Sequence, residues 1–186
     1  VALVDGRPVR VSLLRNLTQR IRQLTENVKT LALQDVYGRI RKILMDLSQE
    51  LLTRVAETVT GSRQVPYGEH ILDFDNWQRL SMKEAVLKFW PESTPAPSEA
   101  DLLSLDKLRA LADSLRAHYE LTDGPGKLLA VLFETVAEDH LIQPTIIYDY
   151  PAEVSPLSKT KPEDPTMVER FELYIAGMEV ANAYSE

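Results

Sequence analysis

Apolar positions between residues 11 and 34 fall at Leu14, Leu17, Ile21, Leu24, Val28 and Leu31. Their alternating three- and four-residue spacing is a heptad seam. Leu14, Ile21 and Val28 occupy position a, and Leu17, Leu24 and Leu31 occupy position d. β-Branched residues at a with Leu at d predict a parallel two-stranded coiled coil. An amphipathic helix packed on its own domain gives the same pattern, and the seam is short of the three to four heptads that would decide between them. A second helix continues through about Thr58, with Leu44, Leu47, Leu51, Val55 and Val59 as its apolar stripe and Gly61 closing it.

Beyond residue 61 the period changes. "QVPYGEHILDF", residues 64–74, predicts a hairpin turning at Tyr67-Gly68. "SMKE", residues 81–84, is a capping box with Ser81 as N-cap and Glu84 reaching back, and it opens a short helix ending near Trp90. A proline-broken loop covers 91–99, helix returns over about 99–118, "TDGPG" at 122–126 is a turn, and Lys127–Leu141 is helical. "PTIIYDYP", 144–151, is β-branched and aromatic between prolines, so it is a strand. A polar loop over 155–166 leads to a last hairpin. Helices interspersed with hairpins predict an α+β fold on an antiparallel sheet.

That last hairpin carries the candidate chemistry. "FELYI" and "MEVAN" joined at Ala176-Gly177 pair Ile175 with Met178 and Tyr174 with Glu179. Alternation then puts Glu172, Tyr174 and Glu179 on one face. Two carboxylates so placed repel unless a cation lies between them. Oxygen ligands in this number suit Mg²⁺, which takes one or two carboxylates plus substrate phosphates. Two solvated glutamates on an exposed face fit the same residues. Asn182, Tyr184 and Glu186 have the opposite parity to Glu179 and face away unless a bulge intervenes near Ala181. A carboxylate beside an aromatic ring is what ammonium recognition requires, through charge-assisted hydrogen bonds and cation–π attraction.

Composition narrows the field. The net charge of −7 supplies no global basic field to recruit nucleic acid or an anionic membrane. There is no Cys, and His70, His118 and His140 lack metal-site spacing, which argues against a transition-metal centre. No apolar run approaches the roughly 18 residues of a membrane span and no signal peptide is visible, so the cytoplasm is the expected compartment. The first residue is Val, which suggests a processed or excised N-terminus.

"LIQPTIIYDYPAEVSPLSK" at 141–159, followed by "ERFELYIAGMEVANAYSE", closely resembles the catalytic domain of lysyl-tRNA synthetases. The resemblance extends back through "GPGKLLAVLFETVAEDHLIQPT" and "ILDFDNWQRLSMKEAVLKFWPE" to about Met45. It implies a class II aminoacyl-tRNA synthetase that joins lysine to ATP and then passes lysine to tRNA(Lys). By matching motif, Glu172 and Glu179 are implied to hold Mg²⁺ against the ATP phosphates. Asn182, Tyr184 and Glu186 are the implied lysine contacts, with Glu186 on the ε-ammonium and Tyr184 on the aliphatic stem. The parity conflict then predicts a bulge or kink at Val180–Ala181. Met178 stands where many members carry Arg. The loop Glu153–Lys159 resembles a segment near the site, with no chemistry assigned to it. Removing one partner of a buried charge pair costs roughly 3–5 kcal/mol, so Glu186→Gln is expected to abolish lysine selectivity, and lysine binding by an otherwise complete enzyme that survived the change would contradict the assignment.

The arginines of class II motifs 2 and 3, and the anticodon-binding barrel, have no counterpart here. No catalytic residue is therefore assigned, and the chain alone is expected to be inactive in adenylation. Residues 1–44, "LLRNLTQRIRQLTENVKTLALQDVYGRIRKIL" among them, resemble the dimerisation helix of cyclic-AMP receptor/FNR-type regulators. The implied organisation is a dimerisation-like segment over 1–44 and a partial synthetase catalytic domain over 45–186, forming a homodimer. The regulators' DNA reader has no counterpart, so DNA binding is not expected. A non-enzymatic dimerising or interaction module, or a regulator fragment, is the competing reading.

Overall fold

The chain divides into two compact units, Val1–Arg39 and Ile40–Glu186. The computed structural model describes Arg20, Val36 and residues 38–185. The heptad seam at residues 14–31 therefore lies outside the described residues. The candidate chemistry falls in the second unit.

Helix α1 covers residues 40–60 of this unit. It ends on Gly61, whose φ of 74° is the left-handed conformation that a helix-terminating glycine adopts without strain. The hairpin β1 (Gln64–Tyr67) and β2 (His70–Asp73) forms a sheet of its own, turning at Gly68-Glu69, one residue beyond the expected pair. Then come β3 (Gln78–Ser81), α2 (Met82–Lys88), α3 (Leu105–Leu115), α4 (Pro125–Val136), β4 (Thr145–Pro151), β5 (Met167–Ile175) and β6 (Met178–Tyr184).

The helix boundaries arise from their caps. Ser81 and Glu84 form the expected reciprocal box at the start of α2, with the Glu84 N–H donating to Ser81 Oγ at 3.2 Å and the Ser81 N–H donating to Glu84 Oε2 at 2.7 Å. Pro125 sits in the first turn of α4, where its missing N–H is not needed. The next two N–H groups, of Gly126 and Lys127, donate to the Glu153 carboxylate at 3.1 and 3.2 Å. A Cβ on Gly126 would stand 2.8 Å from Pro151 Cβ, so glycine permits this close approach.

The main sheet has the order β3-β4-β5-β6. Its last three strands are antiparallel, but β3 pairs with β4 in parallel. The expectation of an antiparallel sheet is thus corrected to a mixed one. Between β3 and β4 the chain makes a long excursion through α2, α3 and α4, the crossover that a parallel pair needs. The largest core lies between these helices and one face of the sheet, around Leu108, Leu128, Leu132, Phe133, Ile147 and Val168.

The other face is covered by α1, through a different stripe from the expected one. Leu44, Leu47, Leu51, Val55 and Val59 are all exposed, Val59 by 77%. Met45, Leu52 and Ala56 face inward instead, Met45 packing with Ile146, Phe171 and Leu173. α1 carries two apolar stripes, and the poorer one meets the sheet.

Candidate functional site

The site lies on the face of β5 that carries Arg170, Glu172 and Tyr174, positions that alternation keeps together. Two bulges bring its neighbours into phase. In β6, Leu173 pairs with Ala181 but Tyr174 pairs with Glu179, leaving Val180 as the extra residue. Past Val180 the parity reverses. Asn182 then pairs with Glu172 and Tyr184 with Arg170, so both share a face with Glu179. The opposite parity read from the sequence is resolved by this bulge, within the expected Val180–Ala181. Glu186 lies outside the described residues.

The second bulge is in the pairing of β4 with β5. Glu169 and Arg170 stand opposite the single residue Asp149, whose φ is 59°. Ile146 and Tyr148 pack on the α1 side of the sheet, yet Tyr150 belongs to the core on the opposite side. The left-handed turn at Asp149 is what carries Tyr150 across, a re-aiming typical of bulges beside functional sites.

Glu172 is 3% exposed and fully engaged. Its Oε2 accepts from the hydroxyls of Tyr150 and Tyr174, the latter at 2.7 Å. Its Oε1 accepts from Arg170 Nη2 and from Asn182 Nδ2, the latter at 3.3 Å. Arg170 also donates through Nη1 to Ser155 Oγ at 2.8 Å and through Nε to Asn182 Oδ1 at 3.3 Å, with its guanidinium 4.7 Å from the Tyr150 ring centre. Burial, then the Glu172 charge, pushes both tyrosine hydroxyls well above the ordinary phenol range, so they stay protonated and remain donors.

Tyr150, Arg170, Glu172 and Tyr174 border a cavity of about 270 Å³ whose lining also includes Glu134, Glu138 and Glu179. Burial raises the Glu138 carboxyl above its ordinary range, and the charges of Glu134, Glu172, Asp139 and Glu179 raise it further. Four carboxylates against one guanidinium make a cavity that attracts cations. Among the described residues no group of three or more His, Cys, Asp or Glu could hold a metal. Glu172 and Glu179 supply carboxylate oxygens to the cavity wall, the donor type that hard cations take.

Glu134, Glu138, Arg170 and Tyr150 do not stand out in the sequence. For Arg170 a signal exists, since it alternates in step with Glu172 and Tyr174. The others reach the cavity from α4, the short 3-10 turn Glu138–His140 and β4, and no local pattern links them.

Residues 32–186 match the family of class II tRNA synthetases for D, K and N, and the chain belongs to it. Its similarity runs to lysine–tRNA ligases, class II enzymes of that family. Those of Salmonella arizonae, Salmonella paratyphi B and Salmonella newport are each 42% identical to it over 146 residues. The match covers 78% of this chain and 28% of each relative, so the chain spans little more than a quarter of their length. No helix among the described residues is long and apolar enough to cross a membrane.

Proposed function

We propose that this chain supplies part of the lysine and Mg·ATP site of a lysine–tRNA ligase catalytic domain. The observation that supports this best is the Val180 bulge, which gathers Glu172, Glu179, Asn182 and Tyr184 on one face beside an acid-lined cavity. A solvated pair of glutamates on an open surface needs neither that re-phasing nor a buried Glu172.

In this reading Glu172 and Glu179 hold Mg²⁺ against the ATP phosphates. When bound, the cation neutralises charge that develops on the triphosphate during transfer of the adenylyl group. Asn182 orients the amino acid, Tyr184 packs on its aliphatic stem and Glu186 pairs with its ε-ammonium. The lysine carboxylate is already ionised, so no general base is required for its attack on the α-phosphorus. Loading of tRNA(Lys) belongs to the whole ligase. Adenylate formation, like that loading, is read as an activity of the whole ligase.

Titration calorimetry with lysine tests the reading. Binding at about 1 mM or tighter (about −4 kcal/mol), weakened by Asn182→Ala and Tyr184→Ala and not reproduced by norleucine, supports it. Absence of lysine binding, or equal binding of norleucine, contradicts it and favours a non-enzymatic interaction module.

A further inference from the structure

Arg170 stands in an unusual position for a residue of a cation-binding cavity. It is a positive charge held among carboxylates that the proposed function gives to a metal ion. Its side chain is 20% exposed, and its Nη2 occupies Glu172 Oε1, on the atom that also accepts from Asn182. Glu172 Oε2 is taken by two phenols. A carboxylate offers about four lone-pair positions, and here each has a donor from the chain itself. A cation therefore cannot add to Glu172. It can only exchange with one of these donors.

The four donors differ in how readily they leave. The phenols of Tyr150 and Tyr174 belong to residues that are 4% and 3% exposed and are packed in the main core. Displacing either would strand a buried hydroxyl. The amide of Asn182 lies at the long limit of a hydrogen bond and is neutral. Arg170 is the only cation of the four. It also has other holds, through Nη1 on Ser155 and the face of the Tyr150 ring, that do not involve Glu172. Its guanidinium can release Glu172 and keep these contacts.

We propose that Arg170 is the resident counter-ion of Glu172, and that a divalent cation reaches this carboxylate by exchange with the guanidinium. This rests on the reading of Glu172 and Glu179 as metal ligands. The exchange makes Arg170 a competitor for the cation site. It also holds Glu172 in a fixed orientation before any cation arrives.

The test uses the whole 186-residue chain and Mn²⁺ as the metal probe, read by electron paramagnetic resonance. Mg²⁺ is added to the same chain while the Arg170 side-chain Nε–H resonance is followed by NMR. Arg170→Met is expected to bind Mn²⁺ about tenfold or more tightly than the unaltered chain, the low end of what one neighbouring cation does to a carboxylate's proton affinity. In the unaltered chain the Arg170 resonance is expected to move with Mg²⁺, with a midpoint matching metal binding. Glu179→Gln is expected to weaken Mn²⁺ binding in both backgrounds.

If Mn²⁺ binding depends on Glu179 while Arg170→Met leaves it unchanged or weaker, the counter-ion role is wrong and the metal reading stands. If Arg170→Met does not fold, the resonance decides. An Arg170 signal that stays still while Mg²⁺ saturates a Glu179-dependent site overturns the exchange. If Mn²⁺ binding is indifferent to Glu179 in both backgrounds, the metal reading falls and the proposal falls with it.

Discussion

Two buried glutamates, three residues apart on β5, face opposite sides of the sheet. Glu172 lines the cavity and accepts four hydrogen bonds from Tyr150, Tyr174, Arg170 and Asn182. Glu169, 4% exposed, looks toward α1 and has Arg41 Nε at 3.1 Å from its Oε2, a charge contact without hydrogen-bond alignment. Arg41 and Lys161 also converge on Asp149 Oδ1, each at 3.0 Å. The Glu169 group clamps α1, β4 and the loop before β5 to one another. Both carboxylates are equally hidden, so burial of a charge does not by itself mark a functional site. What separates them is that one borders a cavity and is oriented by rigid donors, while the other is neutralised by long flexible cations.

The largest effect that would break this contrast is on the structural side. Arg41→Met removes the cation that contacts the buried Glu169, and is expected to lower unfolding free energy by about 3 kcal/mol, the lower end for a broken buried pair. Urea denaturation measures it. Mn²⁺ affinity should not change, and a large change would merge the two sites functionally. The double variant Arg41→Leu/Glu169→Leu should recover most of the loss, because replacing a whole buried pair by apolar groups is often near neutral.

Tyr150→Phe comes next. It removes a donor from a buried carboxylate and is expected to destabilise by about 2 kcal/mol. It should also weaken Glu179-dependent Mn²⁺ binding, since Glu172 loses its fixed orientation. Loss of stability with no change in Mn²⁺ binding would make Glu172 as structural as Glu169.

Lys161→Met is smaller, at about 1 kcal/mol, since Asp149 retains Arg41. The last effect is a pH slope. Burial raises the Glu169 carboxyl above its ordinary range, while Arg41 and Lys161 pull it down. An acid raised in the folded state adds stability that is fully present below the unfolded carboxylate pKa. That stability is lost as pH rises through the folded pKa. Arg41→Met removes the largest opposing charge, so the decline should extend to higher pH in the variant. Denaturation midpoints from pH 4 to pH 7 would check this, and an unchanged slope would mean that Glu169 is reached by water.

Much of this is legible in the residues. The Ser81–Glu84 box and the Ala176-Gly177 hairpin depend on neighbours within a few positions, where alternation and capping act directly, whereas alternation alone puts Asn182 on the wrong face and only the resemblance implied the bulge that corrects it. β3 escapes a sequence reading because "QRLS" has no alternation of its own and is a strand only through β4. The α1 stripe is read onto the wrong face because Leu44, Leu47 and Leu51 outweigh Met45, Leu52 and Ala56 in apolar surface, and a helix with two apolar stripes does not say which one meets the sheet. Tyr150 is out of reach because its face depends on a left-handed turn at Asp149, a non-glycine residue that gives no warning of it.

The parallel pairing of Gln78–Ser81 with Thr145–Tyr148 has a consequence in time. The β5–β6 hairpin closes through two residues, an event of about 1–10 μs. β3, in contrast, leaves the ribosome well before its partner has been translated. At roughly 5–20 residues per second that delay lasts several seconds. For that interval α2 can cap itself through Ser81 and Glu84, but the strand before it has nothing to pair with. The order of synthesis thus leaves Gln78–Ser81 unpaired while the crossover helices are made, and its polar "QRLS" sequence suits a strand that must wait in water.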